Sequence, residues 1–297
     1  VILADNQDLW HQIFGFDNYG ELLALVKNSI IAGAILGLVG GLIGPFVMTR
    51  DLAFAVHGIS ELSFAGASAA LLLGVNVVAG SIAGSLLAAL LIGVLGSRAR
   101  ERNSIIAVLM PFGLGLGILF LALYKGRSAN KFGLLTGQIV SVDNPQLLLL
   151  VVISVAVVIG LFVMWRPLSF ASVDEDVARA KGLPVTTISI AFMVLLGLAT
   201  AVSIQIVGAL LVLSLLVTPA AAAMRVTASP LFTPLLSVAF AVTSVVGGIL
   251  LAIGGGLPIS PYVTTISFLI YVVCRVIGAA RDRRGNKGRL PAATVKS

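Results

Sequence analysis

Residues 52–74 read LAFAVHGISELSFAGASAALLLG. The run is long enough to cross a bilayer, which needs about 20 mostly apolar residues. On a helix, His57 and Glu61 are four residues apart and lie one above the other on a single face. An ionisable group in hydrocarbon costs at least ~2.5 kcal/mol, so such groups line a polar path or a binding site. One imidazole nitrogen beside one carboxylate is half of a site for a divalent transition metal. Arg50 and Asp51 mark the membrane edge, which puts His57 ~10 Å and Glu61 ~16 Å into the bilayer at 1.5 Å per residue. Glu61 cannot reach water from there by stretching its side chain.

Read from the residues alone, the pair has three uses. It can bind a transported metal, relay a proton, or glue helices as a buried hydrogen-bonded pair. The first reading is favoured, and it needs more ligands, since Zn²⁺ prefers four and Mn²⁺ or Fe²⁺ up to six. Ser60, Gln205 and Thr218 are the polar in-membrane residues that could add to the metal path.

The rest of the 297-residue chain has the same character, with 59% hydrophobic and 10% charged residues and mean hydropathy +1.11. A soluble domain carries about a quarter charged residues, so the expected fold is all-α and polytopic, a single transmembrane domain over 1–297. Apolar segments fall at about 22–48, 52–74, 76–97, 104–124, 146–165, 185–224, 231–253 and 259–278. The 185–224 segment would span ~60 Å as one helix, twice the hydrocarbon thickness, so it must fold back. Its least apolar point is 200–205, TAVSIQ. Eight or nine transmembrane helices result.

Lys and Arg near span ends mark the cytoplasmic side. Arg98, Arg100, Arg102, Arg166, Arg179, Lys181 and Arg225 place their loops inside, while Lys125, Arg127 and Lys131 oppose the pattern. Residues 1–21, with acids but no Lys or Arg, form an extracytoplasmic segment, and 279–297 form a basic cytoplasmic tail. The tail can meet anionic lipid headgroups, and nucleic acid is not its expected partner. Cys274 has no partner in the chain for a disulfide.

Between two spans, residues 172–184 read SVDEDVARAKGLP. Ser172 with Glu175 forms a capping box, and Asp174, Glu175 and Asp176 crowd the helix N-terminus. Arg179 and Lys181 suit its C-terminus, Gly182 caps it and Pro184 forbids continuation. The spacing predicts a free helix of about nine residues, suited to docking a cytoplasmic partner. Gly33, Gly37 and Gly41, and Gly66, Ala70, Gly74 with Gly80 and Gly84, recur at the spacing that lets membrane helices approach closely. The GLGLG at 113–117 lies mid-span after Pro111 and reads as packing surface. No GxxxxGK[ST] occurs, so the chain has no P-loop for ATP and is not expected to be an enzyme.

The segments VHGISELSFAGASAALLLG, ASVDEDVARAKGLPV and QIVGALLVLSLLVTPAAAA resemble the permease subunits of zinc/manganese-type ABC importers, the ABC-3 family. The resemblance runs from about Gly33 to Ile277. It implies a metal-ion permease in the bacterial cell membrane, working as a dimer with two cytoplasmic ATPase subunits and an extracytoplasmic metal-binding lipoprotein. It also implies that 172–184 is the ATPase-coupling helix, with Asp174, Glu175, Asp176, Arg179, Lys181 and Gly182 its contact segment. The metal, Mn, Zn or Fe, would be substrate, with no permanently bound cofactor. Many members place Asp and His, in that order, where this chain has His57 and Glu61. The rival reading is a proton-coupled secondary metal-cation carrier, and a third is a membrane scaffold.

Overall fold

The computed structural model describes residues 25–96, 99–126, 142–208, 211–253 and 259–287, with Gly20 and Leu23. Among them the chain forms helices α1 (Lys27–Thr49), α2 (Ala53–Leu73), α3 (Val77–Leu95), α4 (Ala99–Leu123), α5 (Asn144–Val173) and α6 (Glu175–Ala180). There follow α7 (Val185–Val207), α8 (Val212–Leu216), α9 (Thr218–Val226), α10 (Phe232–Ile253) and α11 (Ile259–Lys287). Eight of them, α1–α5, α7, α10 and α11, are long and apolar enough to cross a membrane. Of the eight or nine expected, eight are therefore found among the described residues, and the second half of the long apolar segment forms the shorter, broken pair α8 and α9.

The fold-back of the long apolar segment falls at Gly208, later than the polarity minimum at 200–205. Gly208 has φ +83°, a left-handed conformation that glycine adopts without a Cβ penalty. The polar residues before it do not break α7, because Ser203 Oγ donates to the Ala199 carbonyl at 2.7 Å within the helix. Three other boundaries lie beyond the apolar limits. α4 takes in Arg102, α5 continues through Pro167 to Val173, and α11 continues into the basic tail as far as Lys287. Of the basic residues that opposed the charge pattern, Arg127 and Lys131 lie outside the described residues, as do 1–19 and 288–297.

α1, α2 and α7 are the inner helices, while α4, α5 and α11 present most of their surface outward. α2 packs against α3, α4, α7 and α8, and α1 against α10 and α5. The larger apolar core gathers Val56, Ile59 and Phe64 of α2 with Ile92, Ile106, Phe192 and Leu196. A second joins Leu36, Val207, Leu211, Val245 and Val263.

The glycine rows are seams, as their spacing predicts, except at Gly74, which caps α2 with nothing within 4 Å of its Cβ position. A Cβ on Gly41 would lie 2.4 Å from the Val238 Cα of α10, and one on Gly66 would lie 2.2 Å from the Gly80 carbonyl oxygen of α3. Hydroxyls tie the same interfaces. Ser63 Oγ donates to the Ser81 carbonyl at 2.9 Å, and Ser81 Oγ donates to the Ala201 carbonyl of α7 at 3.3 Å. These bonds join α2, α3 and α7 inside the apolar layer.

Candidate metal site

α1 turns into α2 with no loop between them. Asp51 N–H donates to the Met48 carbonyl at 3.3 Å and Leu52 N–H to the Val47 carbonyl at 2.8 Å. These are the two bonds of a Schellman motif, with Asp51 at φ 52° in the position glycine usually takes. α2 therefore starts at a fixed point, and His57 and Glu61 follow in its first three turns.

His57 Nε2 lies 3.6 Å from Glu61 Oε1, beyond hydrogen-bond distance. The Glu61 side chain is 7% exposed and that of His57 30% exposed. His57 Nδ1 and Glu61 Oε2 are both buried with no hydrogen-bond partner among the described residues. Leaving a buried polar atom unpaired costs about 1–3 kcal/mol, and more where it carries charge. A nitrogen and an oxygen on one helix face are thus open to a group the described residues do not supply.

The backbone behind the pair is clamped. A Cβ on Gly113 of α4 would lie 2.9 Å from the Glu61 carbonyl carbon, and one on Gly84 of α3 would lie 2.2 Å from the Leu62 carbonyl oxygen. The GLGLG run therefore serves helix packing, as its place after Pro111 predicts. On the other side the face is open. Phe54 and His57 are the least buried of residues 54–61.

The further path residues divide. Ser60 is buried one position before Glu61 and is already engaged. Thr218 opens α9, which packs mainly on α1, α10 and α11. Gln205 lies on α7, with its side chain outside the described residues. No cluster of three or more His, Cys, Asp or Glu occurs among the described residues.

The second constellation forms a helix, shorter than expected. α6 has six residues, and its N-cap is Asp174, whose Oδ1 accepts from Val177 N–H at 2.9 Å. Ser172 does not form the expected capping box. Because α5 continues to Val173, Ser172 lies in its last turn and donates to the Leu168 carbonyl at 2.6 Å. The C-terminal end closes as the sequence predicts. Gly182 has φ +82°, its N–H bonds the Arg179 carbonyl at 2.9 Å, and Leu183 N–H bonds the Ala178 carbonyl at 3.1 Å. Glu175 and Arg179 pair at 2.6 Å along the exposed face. Beneath, buried Ala178 packs on Ala171 and Val185. Asp176 is exposed, and Lys181 Nζ sits 5.5 Å above the Phe170 ring.

Sequence reading used Arg50 only as an edge marker. In the fold it joins four helices through Ser172, Ser189 and Arg102.

A bundle of membrane-crossing helices with no strand among the described residues defines a polytopic all-α membrane protein. The chain belongs to the ABC 3 transport family, whose profile matches residues 23–278. It is 28% identical over 225 residues to the manganese transport system membrane protein MntC of Halalkalibacterium halodurans, covering 75% of this chain and 77% of that protein. It is 30% identical over 207 residues to the manganese import system permease protein ScaB of Streptococcus pneumoniae, covering 67% and 70%. The fold matches PsaBC from Streptococcus pneumoniae, solved in complex with Fab, with a TM-score of 0.80 at 24% identity over 91% of this chain and 100% of that one. The chain is a multi-pass protein of the bacterial plasma membrane.

Proposed function

We propose that this chain is the permease subunit of an importer that carries a divalent transition metal, with manganese the first choice, into the cell. The supporting observation is the buried, unpartnered Nδ1 of His57 and Oε2 of Glu61 on one face of α2. The manganese permeases named above favour that ion over zinc and iron. Energy comes from separate cytoplasmic ATPase subunits, which dock on α6 at the basic, cytoplasmic end of the bundle. An extracytoplasmic metal-binding lipoprotein delivers the ion.

A second copy of this chain completes the shell. The His57 face of α2 is partly open, and two copies facing each other would bring two imidazoles and two carboxylates together. Four such ligands suit a divalent transition ion, whereas two leave most of its coordination to water.

The test is uptake and equilibrium binding of Mn²⁺ by the assembled complex. His57→Ala and Glu61→Ala should each cut binding and uptake by roughly tenfold or more, the scale of losing one ligand interaction, while assembly is retained. Full uptake by the double variant would refute the site. Uptake should also fall as the medium is acidified, because protons compete with metal for imidazole. Uptake by the chain alone, under a proton gradient and without ATPase, would make it a secondary carrier instead.

A further inference from the structure

Arg50 stands between the two constellations. It is the C-cap of α1, and its backbone leads through Asp51 and Leu52 into α2. Nη1 donates to Ser172 Oγ of α5 at 3.4 Å, and Nη2 donates to Ser189 Oγ of α7. Ser172 lies two residues before the α6 N-cap, and Ser189 lies in the second turn of the helix that follows α6. The guanidinium thus holds both flanks of α6. Its Cζ sits 6.0 Å from the Phe192 ring of α7, and Phe192 meets Phe46 of α1 edge-on at 6.1 Å. Arg102 of α4 donates to the Arg50 carbonyl at 3.2 Å. Burial pushes the Arg50 guanidinium below its ordinary value, Glu175 of α6 raises it again, and Arg102 lowers it. The charge on α6 is therefore felt at the α1–α2 corner.

We propose that Arg50 is the positioning residue that transmits displacement of α6 to the metal-site helix α2. This rests on the reading of α6 as the ATPase-docking helix. The planar guanidinium has five donors in a fixed fork, so it can hold two hydroxyls on different helices at once. A shift of α6 moves Ser172 and Ser189, the fork follows, and the corner that begins α2 moves with it. His57 lies four residues after Ala53, the first residue of α2, ~6 Å along its axis, with no long loop between the corner and the pair to absorb the motion.

The experiment uses the full complex of permease and ATPase subunits in proteoliposomes, measuring Mn²⁺ moved per ATP hydrolysed and Mn²⁺ binding at equilibrium. Arg50→Lys keeps the charge and loses the fork. It should lower the ratio roughly tenfold while Mn²⁺ affinity stays unchanged, within the range seen when a coupling residue is altered. Ser172→Ala with Ser189→Ala removes the acceptors and should lower the ratio in the same direction, which keeps the test open if Arg50→Lys fails to assemble. An unchanged ratio in the variants that assemble overturns the proposal, and so does a fall in transport and hydrolysis in strict proportion. Val177→Pro, inside α6, separates the two levels. If it leaves transport coupled, the docking reading itself fails. If it uncouples transport while the Arg50 and serine variants do not, only the role of Arg50 is lost.

Discussion

Glu61 carries a carboxylate oxygen that is buried and unpaired, and this makes the two readings of the pair separable by stability. If it only glued helices, its removal would destabilise the protein. As a vacant metal ligand it costs the metal-free protein the desolvation of an unsatisfied group, about 1–3 kcal/mol. Glu61→Leu, similar in volume and free of that penalty, should therefore raise the thermal midpoint of the metal-free protein in detergent while abolishing uptake. A lower midpoint would point to the structural reading. The pair itself was legible because His57 and Glu61 are the only titratable side chains in their apolar run. Arg50 was not, because its partners Ser172 and Ser189 lie 122 and 139 positions away in sequence. Local charge patterns carry no trace of such contacts.

Among elements, α6 shows which helix signals are local and which are not. Its end was readable because Gly182 and Pro184 act within a few residues. Its start was not, because Ser172 and Asp174 are both good caps, and the choice falls to how far α5 runs past Pro167. Asp174→Ala should weaken α6 by about 1 kcal/mol, read as faster amide exchange at Val177, whereas Ser172→Ala should leave that amide unchanged. The fold-back at Gly208 was displaced for a related reason. Polarity marks where a helix is least apolar, but backbone freedom decides where it turns. Helix contacts are also close at Gly113. Its Cβ would meet Leu62 Cδ1 at 2.6 Å as well as the Glu61 backbone. Gly113→Val should push α4 off α2 at a cost of about 1–3 kcal/mol and reduce Mn²⁺ binding without touching either ligand, measured by thermal unfolding and equilibrium binding.

At the scale of the whole molecule, the broken pair α8–α9 divides the two cores. Val212 and Leu216 pack in the cluster of Ile59 and Phe64, while Leu211 and Leu215 pack with Leu36 and Val245. The face of α8 turned toward α2 is therefore the Val212–Leu216 face. Cysteine at Val212 or Leu216, in a background lacking Cys274, should change its reactivity to a small polar thiol reagent when ATP is trapped on the ATPase subunits. Cysteine at Leu211 should stay protected throughout, and the reverse pattern would place the moving surface on the α1 side. Eight spans, their rough limits and the glycine faces could be read from hydropathy and spacing. Which spans lie inside could not be read from hydropathy, since α5 is more apolar than α1 and yet much the more exposed. The seams at Gly41, Gly66, Gly80 and Gly84 have a consequence for the history of the sequence. Helix separation there is set by main chain resting on main chain, so one added carbon collides with a neighbour at 2.2–2.4 Å. The outward residues Val152, Phe162, Phe268 and Val276 bear on no such contact and are 59–64% exposed. Lineages adapting to different lipids, or an engineer recasting the outer surface for solubility, have that surface free to rewrite while the glycine seams hold the inner helices at one spacing.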